Sequence, residues 1–127
     1  LLTAGGADII QPDVCVVGGL CEMRRIAALA EAHFVTVAPH NPMGPLATAV
    51  NVHFAAAQPN FKILEYKLPE AVPWAIDPYL PVDGYLQLRP DRPGWGLEID
   101  MAALAREDYV HWERHLPLRP DGSTGYT

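Results

Sequence analysis

The stretch FVTVAPHNPMGP, Phe34 to Pro45, decides how the chain is organised. Its alternating and β-branched residues predict a short strand. The strand runs straight into His40, a titratable ring held between Pro39 and Pro42. Gly44-Pro45 then carries the signature of a helix start, with Gly at the cap and Pro at the first helical position. A strand that ends in a histidine and hands over to a helix is one unit of an α/β fold.

The flanking segments repeat that unit. Upstream, ADIIQPD (Ala7 to Asp13) is a short apolar run closed by Pro12, as expected of a buried parallel strand emerging into a loop. After Gly18 and Gly19 comes LCEMRRIAALAEAH, in which Leu20, Met23, Ile26 or Ala27, and Ala30 form one apolar stripe while Glu22, Arg25 and Glu31 fall largely off it. Downstream, PLATAVNVHFAAAQ continues from Pro45 as a helix of apolar and small residues that Pro59 and Asn60 stop. FKILEY, Phe61 to Tyr66, predicts a third strand. Strand, helix, strand, helix, strand at this spacing implies right-handed crossovers and a parallel sheet.

From Lys67 the character changes, because prolines at 69, 73, 78, 81, 90 and 93 break every helical pattern, and the segment reads as a long loop. GYLQL and GLEID read as two short strands separated by RPDRPGW. Met101 to Arg106 reads as a helical turn before the polar tail RPDGSTGYT. There are no internal repeats. The expected division is residues 1–82 and residues 83–127.

Composition narrows the functions. Of 127 residues half are apolar and 19% charged, and the mean hydropathy is +0.04, which describes a globular domain able to bury a core. The net charge of −6 comes without a run of like charges or a basic patch interleaved with aromatics, so neither nucleic acid nor an anionic membrane surface is the expected partner. No apolar run approaches the roughly 18 residues of a membrane span. The opening LLTAGGAD lacks the basic start and cleavage site of a secretory signal, and reads as a chain entered midway. Cys15 and Cys21 stand without a second pair, so they are expected to be reduced thiols in a cytoplasmic protein. A metal site there would need further Cys or His at ligand spacing.

Each predicted strand ends in a titratable residue: Asp13, His40 and Glu65. The spacings of 27 and 25 residues are each one strand-helix unit long. In parallel α/β folds the carboxyl ends of neighbouring strands open on one face, so the three are expected to converge. An Asp beside a His holds the imidazole in one tautomer and raises its basicity, which suits proton exchange near neutral pH. A Glu opposite can donate a hydrogen bond or orient a substrate hydroxyl. Singly, each has an ordinary explanation: a structural His, a QPD turn, a solvated Glu. Their common register is what singles them out.

At this point the sequence resembles a family. GADIIQPDVCVVGGLCEMRRIAALAEAH, APHNPMGPLATAVNVHFAAA, NFKILEY and DRPGWGLEID are similar to the last third of the mandelate racemase group of the enolase superfamily, nearest its galactonate dehydratase-like acid-sugar dehydratases. The resemblance is weakest over residues 67–90 and the tail, and most specific around PHNPMGP. It implies that this chain supplies the sixth, seventh and eighth strands of a (β/α)8-type barrel, followed by a segment (83–127) returning to a capping domain. It further implies Mg2+-dependent abstraction of the proton α to a carboxylate, an enediolate, and loss of the 3-hydroxyl to leave a 2-keto-3-deoxy acid. The family's sixth-strand Asp and seventh-strand His form a dyad and its eighth-strand Glu stabilises the intermediate; those roles fall on Asp13, His40 and Glu65, with His40 and Glu65 touching a sugar acid. The acidic Mg2+ ligands and the other acid/base residue would lie upstream, leaving no metal ligand within this chain. A homo-oligomer is expected of the full-length enzyme.

A barrel of this type takes about 250 residues, so the chain is expected to be part of a longer enzyme, with exposed edges if taken alone. Two rivals remain at this stage. One is a racemase or epimerase of a 2-hydroxy acid using the same dyad. The other is a truncated, non-catalytic product that survives as a partner-binding piece. A sixth-strand lysine would have pointed to cycloisomerase chemistry, and the residue is Asp13. The remaining polar and aromatic candidates have plain readings. His33 belongs at a helix end. His53 packs or hydrogen-bonds within the alanine-rich helix. His111 and His115 flank Glu113 without a third zinc ligand. Trp74, Trp95 and Trp112 are packing anchors, with Trp74 in a loop that can reach the pocket.

Overall fold

The computed structural model describes residues 1–68, 72–111 and 118–123. A single turn of 3-10 helix, Leu2–Ala4, closes on Gly5 in the left-handed conformation. The regular elements that follow are β1 (Ile9–Ile10), α1 (Leu20–Ala32), β2 (Thr36–Val37), α2 (Pro45–Ala57), β3 (Ala75–Ile76), β4 (Glu98–Ile99) and α3 (Met101–Leu104).

β1 and β2 pair in parallel, Ile9 opposite Thr36 and Ile10 opposite Val37. On the other side of β2, Val37 makes a parallel bridge to Phe61, with Val37 N–H donating to Asn60 and Lys62 N–H donating back to Val37, each at 2.9 Å. β2 is therefore central, and the buried Val37 with its buried flanks Val35 and Ala38 is the apolar run of the opening motif. The strands predicted over 7–13 and 61–66 are shorter than expected: the first is regular only at Ile9–Ile10, and the second meets the sheet at a single bridge. A strand in a parallel sheet keeps its regularity from neighbours on both sides. Among the described residues these two segments each have a neighbour on one side only.

α1 forms as its pattern predicts. Met23, Ala27 and Ala30, four and three apart, are its buried face, and they pack with Val35, Val37 and Phe54 in the main core. The helix ends in a Schellman pattern, with Val35 N–H donating to Ala30 and Phe34 N–H to Glu31, each at 2.9 Å. The left-handed residue in that pattern is Phe34, at φ 58°.

α2 starts at Pro45 behind Gly44, whose φ of 98° favours glycine. It is apolar on two faces because it is covered on two sides, with Thr48 and Asn51 as buried polar residues between them. Ala47 and Phe54 face the first core, while Ala49 and Val52 face a second one built on Tyr79 with Leu64, Leu86 and Leu97. The segment after 67 thus supplies the lid of α2.

That segment holds more structure than a loop. β3, over Ala75–Ile76, pairs antiparallel with β4, within GLEID, and Asp100 N–H donates to the Trp74 carbonyl at 2.9 Å. GYLQL is not a strand: Val82 and Tyr85 bridge each other around Asp83 and Gly84, both at positive φ, which makes a tight turn. The pairing crosses the expected 82/83 division. Tyr79 pins it, donating its hydroxyl to the Trp95 carbonyl at 3.0 Å beneath the Arg89 guanidinium, 4.2 Å above its ring. Gly96, φ 68°, leaves room for that hydroxyl, which a Cβ would meet at 2.5 Å. Among the described residues, no helix is long and apolar enough to cross a membrane.

Candidate functional site

The parallel ladder continues past the regular strands and sets the site. Ala38 N–H donates to Ile10 at 2.9 Å and His40 N–H to Pro12 at 3.1 Å, while Glu65 N–H donates to Pro39 at 3.3 Å. These bonds bring the three strand exits into step, so Asp13, His40 and Glu65 leave the sheet side by side.

His40 Nδ1 lies 2.7 Å from Asp13 Oδ2. Asp13 is buried, and its other oxygen accepts the Cys15 N–H at 2.8 Å. A carboxylate oxygen accepts, so a ring that donates to it from Nδ1 leaves Nε2 as the nitrogen that can exchange a proton with a substrate. The His40 side chain is 44% exposed, which leaves Nε2 open to a substrate. Glu65 Oε2 stands 3.9 Å from Nε2, too long for a direct hydrogen bond, with its side chain equally open. The arrangement can move a proton at Nε2 while Asp13 holds the ring and stabilises its charged form.

One residue of this site escaped the sequence reading. Asn41 is buried, its backbone N–H donates to Glu65 Oε2 at 2.9 Å, and its Nδ2 donates to the Glu65 carbonyl at 3.0 Å. The same Nδ2 reaches Thr48 Oγ1 at 3.0 Å, and Asn51 Nδ2 donates to Asn41 Oδ1 at 3.0 Å. Both partners lie on α2. The only signal was the placing of an amide between His40 and Pro42, which by itself reads as a turn residue.

The other candidates lie elsewhere. His33 is the C-cap residue of α1. His53 packs edge-on against Trp95, ring centres 5.5 Å apart, and its buried Nε2 has no hydrogen-bond partner among the described residues. Trp74 is held in the β3–β4 sheet through its carbonyl. His111 sits 3.3 Å from the Tyr109 hydroxyl. Trp112 and His115 lie outside the described residues, as does Glu113. Cys15 and Cys21 are free thiols, and burial, then the charge of Asp13, pushes the Cys15 thiol above its ordinary value. A cavity of about 310 Å3 lined by Pro42, Met43, Lys67 and Leu68 opens two residues beyond His40 and Glu65. The larger cavity, about 460 Å3, lies among Cys21, Arg24 and Gln58 and holds none of the three site residues.

Among the described residues no three His, Cys, Asp or Glu side chains gather closely enough to hold a metal ion. Asp13 is committed to His40 and Cys15, and Glu65 to Asn41. These residues do not make a Mg2+ site.

Parallel strands separated by helices, with an Asp, a His and a Glu leaving neighbouring carboxyl ends, are the arrangement of an α/β barrel, whose sites open at that face. The chain belongs to the family described as Enolase C-terminal domain-like, whose model matches residues 1–103, and it is α/β in class, the C-terminal part of that family's (β/α)8-type barrel. It is 35% identical over 134 residues to the D-galactonate dehydratase of Xanthomonas oryzae pv. oryzae, covering 97% of this chain and 35% of the relative. An enolase from Agrobacterium radiobacter, crystallised with sodium and L-malate, is 61% identical at a TM-score of 0.86, covering 98% of this chain and 35% of that one. An enolase from Pantoea ananatis with bound D-gluconate and magnesium is 27% identical at a TM-score of 0.74, covering 84% and 26%. The chain thus spans about a third of the length of the curated relatives it matches.

Proposed function

We propose that this chain carries the proton-transfer side of an acid-sugar dehydratase, a carbon-oxygen lyase that converts a galactonate-like aldonate to a 2-keto-3-deoxy acid. The observation that supports this most is the 2.7 Å bond from His40 Nδ1 to Asp13, which leaves an oriented, open Nε2 facing Glu65. A base outside these residues removes the α-proton. His40, protonated, then delivers its Nε2 proton to the departing 3-hydroxyl, so that the carbon-oxygen bond breaks and water leaves. Asp13 stabilises the imidazolium until that moment. Glu65 touches the substrate and steadies the enediolate from the far side of Nε2.

Mg2+ belongs to this reading as a cofactor held by residues outside the chain; the Pantoea enolase contains magnesium beside D-gluconate. The partner is a small sugar acid rather than nucleic acid or membrane. The enzyme acts in the cytoplasm as a homo-oligomer, and residues 83–127 pack toward its capping domain while residues 1–82 complete the barrel. The L-malate of the Agrobacterium enolase is a 2-hydroxy dicarboxylate, so sugar diacids enter the reading beside aldonates. A second reading, racemisation or epimerisation of a 2-hydroxy acid, is favoured by the same open Nε2, which serves carbon as well as oxygen.

The test is an assay of the protein encoded by the complete gene, with Mg2+, against galactonate, gluconate and galactarate, following 2-keto-3-deoxy product. Turnover of one of them that His40→Asn removes supports the reading. Turnover of none, or turnover that survives His40→Asn, overturns it.

A further inference from the structure

The Glu65 side chain is 45% exposed, and its segment meets the sheet through the Val37–Phe61 bridge and the bond from Glu65 N–H to the Pro39 carbonyl, which fix its main chain and leave its carboxylate to be placed by other contacts. A glutamate side chain free in solvent has many rotamers open to it, and holding it in one costs side-chain entropy. Asn41 removes much of the freedom. Its peptide N–H holds carboxylate Oε2, and its side-chain Nδ2, on the main-chain carbonyl of Glu65, holds the backbone so that this N–H stays aimed at the carboxylate. The amide is itself locked by Thr48 and Asn51 on α2, and Thr48 Oγ1 lies 3.1 Å from the Gly44 carbonyl at the start of that helix. This network is among the few polar groups in the interior: Asn41, Thr48 and Asn51 are all buried. Buried amides cost free energy unless paired, and apolar residues of similar size would pack α2 without that demand. The directional bonds point to a placement that apolar packing cannot supply.

We propose that Asn41 is the positioning residue for Glu65, fixing its carboxylate opposite His40 Nε2 by tying the end of the third sheet segment to α2. The inference rests on the dehydratase reading, in which Glu65 touches the substrate. Asn41 does not touch the substrate and acts through Glu65. A carboxylate released from it would swing away from Nε2, and misplacement by about 1 Å costs on the order of 10²-fold in rate.

The experiment is a double-mutant cycle in the protein encoded by the complete gene, reading kcat and KM on its best sugar acid, with thermal melts to check folding. Asn41→Ala is expected to lower kcat on the order of 10²-fold and to leave KM nearly unchanged. In a Glu65→Gln background the same substitution should change kcat by less than about threefold, because the group it positions is already gone. An equal loss in both backgrounds marks a merely structural role and overturns the inference. Thr48→Val loosens the amide without touching Glu65 and serves if Asn41→Ala does not fold; its loss of kcat should likewise vanish in the Glu65→Gln background. Crystal structures of the variants decide separately from turnover. Glu65 Oε2 is expected to leave the Asn41 N–H, and an unmoved carboxylate overturns the inference. If the wild type turns over no sugar acid, or Glu65→Gln is fully active, the dehydratase reading fails on its own, and the crystal structures still decide whether Asn41 places Glu65.

Discussion

The amide of His40 donates to the carbonyl of Pro12 at 3.1 Å, beyond the last regular pair of β1 and β2. Pro12 offers no N–H, so the bond that a parallel ladder would return from residue 12 to the Ala38 carbonyl cannot form. The single bond holds the two exits in register just before Asp13 turns its carboxylate to the ring. A slip of one residue would move every side chain to the opposite face, and the dyad would be lost.

Phe34 provides the first prediction. It takes the left-handed position of the α1 terminus at φ 58° and is 97% exposed. A non-glycine residue there costs about 1–2 kcal/mol. Glycine brings its own unfolded-state entropy, so Phe34→Gly should gain a few tenths to about 1 kcal/mol. Denaturant unfolding measures it. A clear loss of stability would mean that the ring is packed against something in the folded protein.

The second concerns Cys15. Partial burial and, after it, the charge of Asp13 push its thiol upward. A raised value keeps the unreactive neutral form to higher pH, so alkylation by iodoacetamide should climb later with pH than for a free thiol of about 8.5. Asp13→Asn removes the charge and keeps an oxygen for the Cys15 N–H. Its rate profile should therefore shift to lower pH without reaching that of a free thiol. Peptide mass spectrometry across a pH series reads both curves, and an unchanged profile in Asp13→Asn would remove Asp13 as a cause.

Both helices were legible because their signals are local. Gly44-Pro45 and the spacing of Met23, Ala27 and Ala30 act within a turn or two, and the observed helices start and stop within a residue or two of the reading. The convergence of Asp13, His40 and Glu65 was legible through the repeat length, since parallel strands of equal crossover finish on one face. Asn41 was not, because its meaning lies in partners 7, 10 and 24 residues away. β3 hid for a similar reason: Ala75–Ile76 lies between Pro73 and Pro78, and only its distant pairing with β4 makes it a strand. GYLQL carried strand-forming residues into a turn that Asp83 and Gly84 impose.

The third prediction concerns the 127 residues expressed alone. With Asp13 and Glu65 committed to protein partners and no three donors gathered among the described residues, calorimetric titration with MgCl2 should show no specific binding. No sugar acid should be turned over. Saturable Mg2+ binding, or dehydration by this chain, would mean that the metal site had been placed wrongly.

The last prediction asks which step His40 serves in the protein encoded by the complete gene. With α-proton abstraction assigned to a base outside the chain, His40 is left to protonate the departing hydroxyl through Nε2, the nitrogen that Asp13 does not hold. His40→Asn should then abolish dehydration, a loss on the order of 10³-fold or more, about 4 kcal/mol. Exchange of the substrate α-proton with deuterated solvent should survive, because abstraction uses the other base. Asp13→Asn should be milder but similar in kind, since it leaves the ring in place while loosening its tautomer and withdrawing the charge that stabilises imidazolium. NMR of α-proton exchange beside product formation, with circular dichroism as the fold check, separates the steps. Were His40→Asn to lose exchange and dehydration equally while staying folded, His40 would be the abstracting base. Its Nε2 would then work at carbon rather than oxygen, and the racemase or epimerase reading would replace the dehydratase one.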